Sequence, residues 1–207
     1  KLLIEEIKRN NIDIAYIGPL PYYEIKKYVQ PLVVELEPDG KLSYRCVLFT
    51  TIDQDIKINP TTLNLALTNK HSTCGFLAAY HILKNYKIDI MKTRFSFIGP
   101  HVKVVEYILA TKFNTGIVKE SIFNKFKPVG LKSLAYSPDF PGFLIVVNPN
   151  TVPLKDTTAI KDKLLNLTDS EKKSLNFGKN GFAPFDKTHY NNLDTLIDDR
   201  IIRYINE

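Results

Sequence analysis

The run Asn69-Lys70-His71-Ser72-Thr73-Cys74-Gly75 falls between an apolar strand pattern and a helical one. Ser72 or Thr73 is a natural cap for the helix that follows. Small polar residues at a helix start leave backbone N–H groups outside the helical ladder, and the helix dipole favours negative charge there. The hydroxyls of Ser72 and Thr73 add donors, so the segment reads as a seat for an oxyanion. The same residues also read as an ordinary capped helix. Gly99-Pro100-His101 marks the next strand-to-helix junction, which places His101 at the same sheet edge as Ser72. A histidine there can donate to an anion and protonates more readily beside one.

Two further groups contribute. Tyr16 closes one strand pattern and Tyr44 opens another; a phenol offers an apolar wall and one hydroxyl donor. Tyr22 and Tyr23 read as packing residues. Ser137-Pro138-Asp139-Phe140-Pro141-Gly142 reads as rigid backbone between two strands, with Asp139 a turn residue rather than a ligand group. Cys46 and Cys74 form an even pair without CxxC or zinc spacing. One disulfide is an option, but the reading favoured here is two buried free thiols. A free Cys74 at a helix start, with His101 as base, defines a rival hydrolase chemistry.

These groups need elements to hold them. Apolar runs predict strands at 12–18, 31–37, 44–49, 63–68, 95–99, 115–118, 131–137 and 143–147. Helical patterns cover 2–10, 21–28, about 74–86, about 101–112, 120–126, 157–167, 170–175 and 190–205. Alternating strands and helices predict an α/β fold, with parallel βαβ units as the economical arrangement. Ligands in such sheets bind at the carboxyl ends of strands, where helices begin.

Charge narrows the partner. The chain of 207 residues carries a net +6, and 44% of it is hydrophobic, enough for a core. Residues 1–50 and 143–207 are each neutral, so the whole excess lies in 51–142. It is dispersed, with no three consecutive Lys or Arg. A nucleic-acid arm or a polybasic membrane segment is denser, so nucleic acid is not an expected partner. A dispersed field around a small anion fits better. No apolar run is long enough to span a bilayer. The chain opens on Lys1 in mid-helix, which reads as a processed or trimmed start.

The succession IDIAYIGP, SYRCVLFTT, HSTCGFLAAYHILK, FIGPH, SPDFPGFLIVV and NGFAPFDKTHY resembles the phosphate/phosphonate-type periplasmic substrate-binding proteins of ABC transporters, from about residue 10 to 195. The resemblance implies a two-lobed periplasmic-binding-protein type II fold. Its outer lobe would be 1–46 plus 146–207, and its inserted lobe 47–145 would carry the anion site. Ligand would sit between the lobes and favour closure about the crossing strands. Ser72, Thr73 and the Cys74 backbone would hold the phosphorus oxyanion, with His101 and Tyr44 donating to it. Tyr16 would form an aromatic wall, and Glu120 would fall near the acid that meets a ligand amine. No catalytic residue, metal or cofactor is implied. The implied partners are a phosphonate, phosphate or phosphite and an ABC permease, or a signalling partner if the domain is a sensor. The implied location is periplasmic or extracellular, with a membrane anchor as an option.

Three departures carry expectations of their own. Cys74 stands where the family has a serine. Gly142 and Phe143 stand where aminophosphonate binders carry an acid, which points to a ligand without an amine or with a weakly held one. The family's first strand, helix and strand are missing, so the chain is either trimmed or completes its outer lobe differently. An incomplete lobe would expose apolar surface and favour a homodimer over a monomer.

Overall fold

The computed structural model describes residues 2–207. Its elements in chain order are α1 (Leu2–Lys8), β1 (Ile14–Ile17), α2 (Pro19–Ile25), β2 (Gln30–Glu35), β3 (Ser43–Tyr44), β4 (Cys46–Thr51), β5 (Asn64–Leu67), α3 (Ala78–Asn85), β6 (Arg94–Phe97), α4 (His101–Leu109), β7 (Thr115–Lys119), α5 (Glu120–Phe126), β8 (Leu131–Tyr136), β9 (Phe140–Pro141), β10 (Leu144–Val147), α6 (Leu154–Leu165), α7 (Asp169–Ser174), β11 (Phe182–Pro184), α8 (Leu193–Leu196) and α9 (Asp199–Asn206). The chain divides into two compact units: residues 1–43 with 140–198, and residues 44–139 with 199–207. The C-terminal helix α9 thus counts with the second unit, whereas the sequence reading set it in the outer lobe.

The first unit holds a four-stranded sheet in the order β1-β10-β2-β11. β1 and β2 each run antiparallel to β10, so they are parallel to each other, with α2 as their crossover. Pro19 starts α2, where a missing N–H costs nothing and φ is already helical. Leu32, Val33, Ile145, Val147 and Phe182 form the core, with Ile160 and Leu164 of α6 packed on it. β11 has only three residues and ends in Pro184, which confines it to a sheet edge.

The second unit holds a five-stranded sheet in the order β6-β5-β7-β4-β8. β5 pairs in parallel with both β6 and β7, as the βαβ reading expected. β4 and β8 depart from it: β4 runs antiparallel to β7 and to β8. β4 reads CVLFTT and is buried along almost its whole length, as a strand covered on both faces must be. Phe49 of β4 packs with Val104, Val105 and Ile108 of α4 and Phe123 of α5. Gly116 permits this approach, because a Cβ there would stand 2.8 Å from Val104 Cγ1.

The pattern over 190–205, read as one helix, is broken. A tight turn at Lys187–Tyr190, α8 and α9 replace it, with Ile197 extended (φ −115°, ψ 97°) between the last two. Ile197 is buried, so its packing sets the break.

Candidate functional site

The site residues of the second unit gather because of strand direction. The carboxyl ends of β5, β6 and β7 share one edge, and β4, antiparallel to β7, begins there, with Cys46 opposite Lys119. β8 ends there too, with Tyr136 opposite Val47. The β5–β6 ladder extends past the strands through Ile98 N–H to Leu67 O (2.7 Å) and Gly99 N–H to Thr68 O (2.9 Å). Tyr44, Ser72, Thr73, Cys74, His101 and Glu120, far apart in sequence, are thus brought to a single sheet edge.

Residues 73–77 do not form a plain helical turn. They make a wide turn kinked at Gly75 before α3 begins. Ser72 N–H bonds Asn69 O (3.1 Å) and Gly75 N–H bonds Ser72 O (2.9 Å), which closes the loop into a compact knot. Gly75 lies so close to the Asn69 carbonyl that a Cβ would stand 1.9 Å from its oxygen. Thr73 and Cys74 are buried in this knot, and Ser72 is half-buried.

Cys74 is not a free thiol, which corrects the sequence reading. It forms a disulfide with Cys46, Cα atoms 5.4 Å apart, tying the knot to the start of β4. The pairing follows from topology: β4 enters the sheet at the edge where β5 delivers the knot. A disulfide sulfur is no thiolate nucleophile, so the Cys74/His101 hydrolase reading falls with it.

His101 opens α4. Its Nδ1 accepts the backbone N–H of Lys119 at 3.2 Å. That bond fixes the tautomer, leaving the proton on Nε2, where it can be donated outward. Burial and the nearby Lys119 charge push the imidazole down to about 4, so it is neutral at physiological pH. His101 is thus a neutral, oriented donor in the ligand-free protein rather than a cation. The unfolded imidazole, with its ordinary value near 6.5, takes up a proton on acidification before the folded one does. The unfolded state therefore binds more protons between about pH 6.5 and 4, and stability falls as pH drops through that window. The melting temperature of the parent should fall more steeply there than that of His101→Gln; parallel curves would contradict this.

Glu120 begins α5, and its carboxylate is held by Arg45. Arg45 Nε donates to Oε2 at 3.1 Å and its second terminal nitrogen to Oε1 at 2.9 Å. Tyr44 is buried, with Lys119 Nζ 4.7 Å from its ring centroid. Tyr16 lies in the first unit. Its hydroxyl donates to Glu35, whose other oxygen accepts from Gly178 N–H at 2.6 Å. Its ring stacks on Phe177 (4.4 Å) and Phe143 (5.1 Å), which engages it within the first unit.

The sequence reading singles out neither Arg45, Lys119 nor Thr68 at the second unit's edge, and takes Ser137 only as part of a rigid crossing. Ser137 Oγ accepts the Cys46 N–H at 2.9 Å, and Ser137 N–H bonds Cys46 O at 2.9 Å. The SPDFP run thus begins with a clamp on the disulfide strand. Thr68 Oγ1 is buried with no hydrogen-bond partner among the described residues. Its position directly before Asn69 was the available signal.

Comparison with known proteins gives the class first. The fold is that of a binding protein component of an ABC phosphonate transporter from Pseudomonas aeruginosa (17% identity, 93% of this chain and 70% of that one, TM-score 0.79). A Prochlorococcus marinus protein in complex with methylphosphonate is similar (16%, 98% and 83%, 0.80), as is a Xanthomonas citri protein bound to ATP (16%, 99% and 82%, 0.74). This is the periplasmic-binding-protein fold. Residues 2–190 match the family described as ABC transporter, phosphonate, periplasmic substrate-binding protein, and the chain belongs to it. Its members are extracytoplasmic transport components that hold a small ligand for a permease. No helix among the described residues is long and apolar enough to cross a membrane.

Proposed function

We propose that the chain binds a small phosphorus oxyanion, a phosphonate before phosphate or phosphite, and presents it to an ABC permease. The observation that carries this reading is the meeting of the Ser72–Gly75 knot and the His101 imidazole at adjoining strand ends. The knot supplies Ser72, Thr73 and the Cys74 backbone, and His101 supplies Nε2–H. Tyr44, at the end of β3 and two residues before β4, completes the donor set. Oxyanions recruit several donors of this kind, and such charge-assisted bonds are stronger than neutral ones. A buried hydroxyl left unpaired is costly, and a ligand oxygen would relieve that cost at Thr68. The donors are held by the disulfide, the Lys119 bond and the Ser137 clamp before any ligand arrives, which lowers the ordering cost of binding.

Methylphosphonate, phosphite and phosphate should each be screened for a rise in melting temperature. A ligand at a hundredfold excess over Kd adds about 2.7 kcal/mol to stability. The parent should respond most to methylphosphonate, and Thr73→Ala should lose the response while keeping its unliganded melting point within a few degrees. Absence of any shift across the three compounds would overturn the oxyanion reading.

A further inference from the structure

The cationic edge around His101 contains a carboxylate that is already occupied. Glu120 follows Lys119, whose N–H orients the imidazole, so it stands one residue from the proposed oxyanion donors. Arg45 grips both of its oxygens, at 3.1 and 2.9 Å. The grip involves main chain as well as side chain: Glu120 N–H also bonds Arg45 O at 2.9 Å, and the guanidinium lies 4.6 Å from the ring centroid of Tyr136. Two side-chain bonds, a main-chain bond and a stacked ring fix Arg45 more firmly than an ordinary surface ion pair. The pair is nonetheless open to solvent, with side-chain exposures of 43% for Arg45 and 28% for Glu120. Lys119 adds a second positive charge, its Nζ 4.7 Å from the ring centroid of neighbouring Tyr44, and the Asp139 charge acts on Arg45.

We infer, on the oxyanion reading above, that Arg45 determines ligand class by occupying Glu120, so that the site takes phosphonates whose substituent is neutral or anionic and discriminates against those bearing an ammonium group. A cationic substituent meets Arg45 and Lys119 and can reach Glu120 only by displacing a forked arginine. A methyl or carboxyl substituent has no such competitor. Removing Arg45 releases a carboxylate beside the oxyanion site, and that carboxylate then attracts an ammonium.

The test compares methylphosphonate with 2-aminoethylphosphonate by calorimetric titration of the parent, Arg45→Gln, Arg45→Lys and the double variant Arg45→Gln/Glu120→Gln. The parent is expected to prefer methylphosphonate. Arg45→Gln should move the affinity ratio toward 2-aminoethylphosphonate by about tenfold or more, the value of one charge-assisted bond. Arg45→Lys, which keeps the charge without the fork, should shift it less, and it serves if Arg45→Gln does not fold. The double variant should return the ratio toward the parent's, because the attracting carboxylate is gone. An unchanged ratio in both single variants, or a double variant that keeps the full shift, overturns the role of Arg45. A parent that prefers the aminoethyl compound overturns it as well. A parent that binds neither compound overturns this inference, and the oxyanion reading falls with it only if phosphate and phosphite also fail to bind.

Discussion

Gly75→Ala is expected to lower the melting temperature by roughly 10 °C and to abolish oxyanion binding. The added Cβ would stand 1.9 Å from Asn69 O, 3.0 Å from Asn69 C and 3.2 Å from Asn69 N. All three are backbone atoms, so no side-chain rotation relieves the clash. The main chain must separate, and two bonds resist: Ser72 N–H to Asn69 O and Gly75 N–H to Ser72 O. Overpacking of this kind costs about 3 kcal/mol or more where backbone has to move. Function should suffer beyond stability. Displacing Asn69 shifts Ser72, Thr73 and Cys74, the proposed donors, by a distance that hydrogen bonds to a compact anion do not tolerate. Thermal melts and a methylphosphonate titration check this together. A variant that melts within about 2 °C of the parent and binds normally would show that the knot can relax around a methyl group.

The knot was legible in the sequence for a local reason. Strand, small polar residues, glycine and helix follow one another within a dozen positions, and His101 repeats the junction one unit later. Strand direction was less legible. β5, β6 and β7 are parallel because α3 and α4 connect them, but β4 and β8 are antiparallel to their neighbours. Nothing within β4 marks that, since a strand buried on both faces shows the same continuous apolar run in either direction. The Arg45–Glu120 pair spans 75 positions and the Cys46–Cys74 bridge 28. Both follow from β4 entering the sheet beside the end of β7, a pairing that no local pattern encodes. The single helix read over 190–205 failed for another reason: buried Ile197 takes an extended conformation that its helical neighbours do not announce.

Charge connects the fold to the proposed chemistry. Residues 44–139 and 199–207 carry 15 basic and 8 acidic side chains, so the second unit holds the whole positive excess. Yet the group proposed to meet the oxyanion most directly, His101, is neutral. The division of labour is physical. Dispersed lysines create an attractive field at a distance, while neutral oriented donors bind without the desolvation cost of a buried cation.

Replacing the bridge by Cys46→Ser/Cys74→Ser should cost about 3–4 kcal/mol, the loop-closure value for a 28-residue separation. For a chain of this size that corresponds to roughly 10 °C in melting temperature. The bridge also joins two parts of the proposed site. On one side lies the knot; on the other, β4 is preceded by Tyr44 and Arg45 and clamped by Ser137. Both cysteines are buried, so the serine hydroxyls would enter apolar surroundings and would have to find partners. The double variant should therefore bind methylphosphonate more weakly even well below its melting point, because Thr73 and Tyr44 lose their covalent tie. Thiol titration of the denatured parent should detect no free thiol until reductant is added. Reduced and denatured parent, refolded with reductant present, should melt like the double variant. A parent that titrates as a free dithiol without reductant would return Cys74 to the thiol state, and with it the hydrolase chemistry that the bridge removes.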